Sequence, residues 1–117
     1  MIKNESVSTP AYSGNVFIKN EKGFKRVNTR NIVFLEIQGS CCIIHLHDGV
    51  MKVFASMRSI MEVLDPRWFV RIHRSYSVNL EHIVELSKQK AITNNGKELK
   101  VGRVYYKKLM HNSLFIG

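Results

Sequence analysis

Short runs of β-branched, aromatic and other apolar residues, separated by turn-forming residues, recur along most of this chain. The pattern is typical of strands joined by hairpins. Asp48-Gly49 and Asn95-Gly96 are strong hairpin signals because glycine adopts positive φ at low cost. The predicted strands cover residues 16–18, 24–27, 31–37, 42–46, 50–54, 83–86, 91–94 and 97–101.

Helical periodicity is confined to two short stretches. In the first, four apolar side chains recur at i, i+3, i+4 and i+7, namely Met57, Ile60, Met61 and Leu64. Ser56 is a suitable N-cap, and Asp65-Pro66 predicts the helix end. Residues 104–110 are compatible with a second short helix, and Trp68–Val70 is expected to anchor the core. The pattern as a whole predicts a mainly-β domain with one or two short helices.

The chain is long enough for one domain with one modest core. Residues 1–15 contain Ser, Thr, Asn, Pro10 and Gly14 with little apolar periodicity, which predicts a flexible N-terminal segment. Residues 16–117 form the predicted domain. No window is apolar enough to span a membrane, and no signal peptide is evident, so the expected location is the cytoplasm.

Positive charge is concentrated in the second half of the chain. The net charge is +9, and residues 66–117 contain ten Lys and Arg against three Asp and Glu. Such a basic region attracts polyanions over about a Debye length. Nucleic acid is the favoured partner, with an anionic membrane or no polyanionic partner as the alternatives. Because no basic amphipathic helix of useful length is present, we expect no membrane binding.

The cysteine, histidine and serine residues do not form the sequence motif of a catalytic site or of a metal site. Cys41 and Cys42 are adjacent, which is unfavourable for a mutual disulfide, and are expected to be reduced. His45 and His47 share one strand face, but a single strand does not supply the three or four ligands of a zinc site. His73 and Ser75 lack an orienting acid. We therefore expect no catalytic residues, no metal and no cofactor.

Residues 69–80, FVRIHRSYSVNL, combine polar side chains suited to nucleic acid with apolar residues suited to a core. Arginine binds guanine or phosphate with two hydrogen bonds, and serine and asparagine donate to phosphates or base edges. If residues 71–74 are extended, Arg71 and His73 share one face, and Ile72 and Arg74 share the other. The alternative is a polar loop with ordinary surface arginines.

Three stretches of the chain resemble the LytTR DNA-binding domain family, and the resemblance extends from about Val16 to Leu114. They are IVFLEIQGSCCIIHLHDG, RIHRSYSVNLEHI and LKVGRVYYKKL. The resemblance implies a mainly-β fold of small antiparallel sheets in an elongated β-β-β arrangement. It also implies loops that enter successive major grooves of DNA, direct-repeat promoter sites, binding as a homodimer, and DNA bending. Many members are output domains of two-component response regulators, and here no receiver domain is expected.

The resemblance implies DNA contacts from three regions, namely the Gly39-Ser40-Cys41 loop, residues 71–79 and the stretch around Gly102-Arg103-Val104. With the basic residues near them, the expected DNA-binding positions are Ser40, Arg71, His73, Arg74, Ser75, Asn79, Lys100, Arg103 and Lys107. Arg74 is expected to contact a base and Arg71 a phosphate. His73 either contacts phosphate or makes a structural hydrogen bond, and Asn79 either contacts DNA or caps a turn.

The sequence departs from the family pattern at two loops. Ser40 is the single polar candidate recognised in the first, and Gly102-Arg103-Val104 stands where Ser-Arg-Arg is common. These departures keep a second hypothesis open, in which the domain is a protein-interaction module or an antagonist of another regulator. RNA binding is less favoured because few aromatic residues are available for stacking.

Overall fold

The computed structural model describes residues 14–117, in which ten strands form three antiparallel sheets. The strands are β1 (Asn15–Asn20), β2 (Gly23–Asn28), β3 (Ile32–Gln38), β4 (Cys41–Leu46), β5 (Gly49–Val53), β6 (Phe69–His73), β7 (Tyr76–Asn79), β8 (Ile83–Leu86), β9 (Lys90–Thr93) and β10 (Glu98–Lys100). The helices are α1 (Met57–Met61) and α2 (Arg103–Leu109), with 3-10 turns at Thr29–Asn31 and Leu80–His82. This arrangement confirms the predicted mainly-β fold.

The central sheet has five strands in the order β5-β4-β3-β7-β6. A hairpin of β1 and β2 and a three-stranded sheet, β10-β9-β8, complete the molecule. The predicted hairpin at Asp48-Gly49 is confirmed, because Leu46 pairs with Gly49 across the β4–β5 turn. The described residues measure 44 × 30 × 23 Å, so the domain is elongated as expected.

Two hydrophobic cores involve alternate residues of the central sheet. The first contains Leu35 and Ile44 and packs against α1 and the β1–β2 hairpin. The second contains Ile72 and Val78 and packs against the three-stranded sheet and α2. Because neighbouring residues of a strand point to opposite faces, the two cores lie on opposite faces of the central sheet.

Helix α1 begins as predicted but ends earlier. The Ser56 hydroxyl accepts a hydrogen bond from the Ser59 backbone N–H at 3.1 Å, which confirms the N-cap. The helix ends at Met61 rather than near Asp65-Pro66. Leu64 is nevertheless buried. It lies in a turn that follows the helix, where its backbone N–H donates to the Met61 carbonyl oxygen, and its side chain packs in the first core.

The prediction that Trp68–Val70 anchors the core is correct only in part. Phe69 is buried in the first core, whereas Trp68 is 36% exposed. Strand β1 already begins at Asn15, which is one residue before the predicted domain boundary. The predicted flexible segment covers residues 1–15, of which residues 1–13 lie outside the described residues. No helix among residues 14–117 is long and apolar enough to cross a membrane.

Candidate nucleic-acid interface

The predicted recognition segment forms a hairpin of β6 and β7 with Arg74-Ser75 as its turn. A β-bulge lies between Arg71 and His73, where the register with β7 shifts. Ile72 is fully buried, while Arg74 is exposed. Strict alternation would have placed Arg74 on the face of Ile72, but the strand ends at His73. The turn therefore releases Arg74 from the buried face.

The Arg71 guanidinium is engaged by the turn that follows it. Its Nε donates to the His73 carbonyl oxygen at 3.2 Å, and one Nη donates to the carbonyl oxygen of Arg74. The guanidinium carbon also lies 5.8 Å from the centre of the Tyr105 ring in α2, within reach of a cation–π interaction. Arg71 thus connects the turn to helix α2, and its expected contact with phosphate stays a prediction.

The His73 ring fixes the other side of the turn. Its Nδ1 accepts a hydrogen bond from the Ser75 backbone N–H at 3.0 Å, so Nδ1 carries no proton and the neutral ring carries its proton on Nε2. Burial and the nearby positive charges of Arg74, Lys100 and Arg71 lower the pKa of His73 below 6.5. The structural hydrogen bond, one of the two roles considered for His73, is therefore present.

The loop that contains Ser40 lies beside the Arg74-Ser75 turn. Ile37, at the end of β3, donates its backbone N–H to the Ser75 carbonyl oxygen at 2.9 Å. Ser40 follows Gly39 in the β3–β4 turn, and Gly39 has the positive φ of 60° that such a turn favours. Ser40 is exposed at the same end of the central sheet as Arg74.

The start of helix α2 completes the cluster. The Gly102 backbone N–H donates to the Ile72 carbonyl oxygen at 2.7 Å, which places the first turn of α2 against β6. Arg103 and Lys107 are exposed and lie four residues apart, hence on one face of α2. Lys100 ends strand β10 and is close enough to His73 to lower its pKa.

The structure thus brings eight of the nine predicted positions to one region. This region consists of the Gly39-Ser40 turn, the β6–β7 hairpin with its Arg74-Ser75 turn, the end of β10 and helix α2. Asn79 is the exception, because it lies away from these loops and makes the structural contacts of the second role considered for it. Its side chain is 0% exposed, at the far end of β7 from the turn. Its Nδ2 donates to the Ile32 carbonyl oxygen at 3.0 Å, and its Oδ1 accepts from the Glu81 N–H at 3.0 Å. The capping alternative is the one that the structure supports.

Two residues of this region were not recognised from the sequence. Gln38 is exposed beside the Gly39-Ser40 turn and supplies the long polar side chain that this loop was expected to lack. Tyr105 lies under the Arg71 guanidinium. Gln38 is signalled by its place at the end of a β-rich run, just before a turn glycine, and Tyr105 by its place in the first turn of the predicted α2.

The remaining candidate ligands have structural roles. His45 Nε2 is 2.9 Å from Glu36 Oε1, and the His45 ring stacks on Phe34 with 3.9 Å between ring centres. Within the described part of the chain, no three His, Cys, Asp or Glu side chains lie close enough together to hold a metal ion. Cys41 and Cys42 are buried free thiols, and burial raises the pKa of Cys42.

Known proteins share this sequence pattern and this fold. The transcriptional regulatory protein LytR of Staphylococcus aureus, in strains N315 and NCTC 8325, is 29% identical over 83 residues. That alignment covers 67% of this chain and 34% of LytR, so the chain spans about a third of the relatives that it matches.

A solved LytTr DNA-binding domain from Bacillus cereus has the same fold. It superimposes with a TM-score of 0.76 at 20% identity, over 87% of this chain and 98% of that domain. The sequence profile of the LytTr DNA-binding domain matches residues 22–113. The chain therefore belongs to the LytTr family of DNA-binding domains, which bind DNA and are not catalytic.

Proposed function

We propose that this domain binds specific double-stranded DNA sequences and regulates transcription in a bacterium, acting in the cytoplasm. The observation that carries the proposal is the convergence of Arg74, Lys100 and Arg103 with two polar turns at one end of the central sheet. Cationic and hydrogen-bonding side chains on protruding turns suit both phosphates and base edges.

The structure supports a division of roles within this surface. Arg74 projects from a turn that is held by Arg71 and His73, so its side chain starts from a fixed backbone. A pre-positioned arginine is suited to bidentate binding of guanine. The exposed Lys107, one helical turn beyond Arg103, is suited to a phosphate because lysine acts as a mobile point charge. Ser40 and Gln38 offer further polar contacts.

The size of the domain supports a proposal for how it engages the duplex. Its long dimension of 44 Å is comparable to one turn of B-DNA, which is about 34 Å. We propose that the turns at Ser40 and Arg74 and the start of α2 enter successive major grooves, with bending of the duplex between them. Two copies on direct-repeat promoter sites would make a homodimer on DNA.

Selection of random duplex DNA on the purified protein tests this function. We expect an enriched short motif that is repeated in the same orientation, and a second copy bound on the repeated site in a mobility-shift titration. An unenriched pool would overturn the proposal of sequence-specific binding. Enrichment of a single unrepeated motif would keep specific binding but contradict the direct-repeat arrangement.

A further inference from the structure

A large apolar groove lies between the β1–β2 hairpin, strand β5 and helix α1, and we name it the Phe54 groove. Its volume is about 1100 Å³. Four of its lining side chains are large, apolar and exposed: Phe17 at 67%, Val50 at 65%, Phe54 at 81% and Val63 at 42%. Single exposed apolar residues are common, but several around one concavity are typical of an interaction site.

The groove is separate from the candidate DNA interface. Its inner lining includes Ile32, Ile44 and Leu64, which belong to the first core. Lys100 and Arg103 belong to strand β10 and helix α2, which pack on the second core, on the other face of the central sheet. A domain that binds DNA through its turns and α2 therefore keeps this groove available to another partner.

The rim of the groove is basic. Lys19, Lys22 and Lys52 line it, and Glu21 is the acidic residue among the lining positions of the described chain. A symmetric dimer through this groove would place the three lysines of one copy close to the same lysines of the other copy. The like charges would repel each other. An acidic partner would instead meet complementary charge at the rim and apolar side chains in the middle.

The size and shape of the groove favour a protein segment over a small molecule. Small-molecule pockets hold about 300–1,000 Å³ and bury most of the ligand. Here the volume is at the upper end of that range, but the groove is open, and Phe17 and Phe54 remain mostly exposed on its walls. An amphipathic helix presents an apolar stripe with polar flanks, which matches apolar walls beneath a lysine rim.

We propose that the Phe54 groove binds an acidic amphipathic helix of a partner protein, with apolar side chains between Phe17 and Phe54 and carboxylates at Lys19, Lys22 and Lys52. The domain then holds DNA on one surface and a protein on another. This inference goes beyond the proposed function and does not depend on it.

The test uses two synthetic peptides on the whole chain. One is an amphipathic helix with a Leu and Phe stripe and Glu on its flanks, and the other has Lys at every Glu position. Binding is followed by fluorescence anisotropy and by amide shifts in two-dimensional NMR. Because an acidic peptide is also attracted to the DNA interface, the titration is repeated with the protein saturated with a DNA duplex.

We expect the Glu peptide to bind with amide shifts around Phe17, Met51 and Phe54, and to bind equally well when DNA is present. The Lys peptide should bind about tenfold more weakly or worse, because its charges repel the rim. Phe54→Ala and Lys52→Glu should each weaken the Glu peptide about tenfold. Because the Phe54 side chain is largely exposed, its truncation should leave the fold intact. The Phe54→Ala variant should therefore bind DNA as the wild type does.

Val84→Ala and Lys88→Glu serve as matched controls, because both residues are exposed and neither lines the groove. No binding of the Glu peptide, equal binding of both peptides, or shifts confined to the Arg74 turn would each overturn the proposal. So would dimerisation in sedimentation velocity that Phe54→Ala abolishes, since the groove would then belong to a second copy. If DNA selection fails but the peptide binds, only the proposed DNA function is contradicted.

Discussion

Individual hydrogen bonds decide what each residue of the Arg74 turn contributes. Arg71 and His73 both have polar side chains that suit DNA, yet the structure uses them to bind the backbone of the turn. Arg74 itself is exposed, so the two residues before it support the one that reaches outward. Residue type predicted polar side chains suited to DNA in this segment, and their contacts with DNA stay a prediction. It did not predict which side chains bind the backbone of the turn and which is exposed, because this depends on where strand β6 ends.

Replacement of Arg74 tests base readout. Arg74→Ala should weaken specific DNA binding by about 1–3 kcal/mol and flatten the preference at one base position, because a bidentate contact is lost. Binding of the selected site and of random duplex is measured by anisotropy. Arg30→Ala is the matched control, since Arg30 is exposed at the opposite end of β3. An unchanged ratio of specific to random binding in Arg74→Ala would contradict the assignment.

Asn79 is expected to stabilise the fold through its two buried hydrogen bonds. Asn79→Ala should lower the free energy of unfolding by about 2–4 kcal/mol, because it removes two hydrogen bonds and leaves the buried Ile32 carbonyl without this donor. Urea denaturation measures the change. Asn31→Ala, at an exposed asparagine, should change stability by less than about 0.5 kcal/mol. Equal small effects at both positions would contradict this role.

His73 should make stability depend on pH. Its pKa is lowered in the folded protein, so the unfolded chain binds more protons once the pH falls below 6.5. The contribution of His73 is complete above that pH and is lost as the pH falls toward the lower folded pKa. In His73→Asn, whose side-chain oxygen does not titrate but can accept from Ser75, the loss of stability between about pH 7.5 and 5.5 should be smaller. An identical loss would exclude this linkage.

At the scale of elements, hairpins could be predicted well and their irregularities could not. Asp48-Gly49 and Asn95-Gly96 determine their turns locally, because the glycine is part of the turn itself. The bulge in β6 depends on its register with β7, and the burial of Asn79 depends on a contact 47 residues away along the chain. Helix α1 ends before the periodic pattern does, and Leu64 reaches the core through the turn that follows the helix.

The connection between β6 and α2 also gives a prediction. Arg71→Lys keeps the charge but loses the planar fork that binds two carbonyl groups and lies over Tyr105. We expect weaker specific DNA binding with an unchanged salt dependence, together with amide shifts at Arg74 and Ser75 in the free protein. If Arg71→Lys binds as the wild type does and shows no such shifts, Arg71 acts as a point charge rather than by positioning the turn.

The whole molecule has two distinct candidate binding surfaces. The basic turns and α2 carry the candidate DNA contacts, and the Phe54 groove carries exposed aromatic residues. The charge asymmetry was visible in the sequence. The groove was not, because its walls come from three separate elements, each of which has only one or two exposed apolar residues.

Lys107 tests the electrostatic part of DNA binding. Lys107→Ala should weaken binding to all duplexes alike and reduce the slope of log K against log salt by about 1, because one phosphate contact is lost. Affinities for the selected and random duplexes are compared over a salt series. Lys25→Ala, at an exposed lysine of β2, should leave the slope unchanged. A slope that changes equally in both variants would show diffuse charge attraction instead of a contact at Lys107.

The contact between Gly102 and its neighbours limits how this domain can change its sequence. A Cβ atom at position 102 would lie 3.1 Å from the Tyr105 ring and 3.8 Å from the His73 Cα. The ring that supports Arg71 would have to shift to admit a serine at this position. Acquisition of that hydroxyl is thus coupled to the side chain at 105. Gly102→Ser is therefore expected to be tolerated better after a substitution of Tyr105 by a smaller side chain than before it.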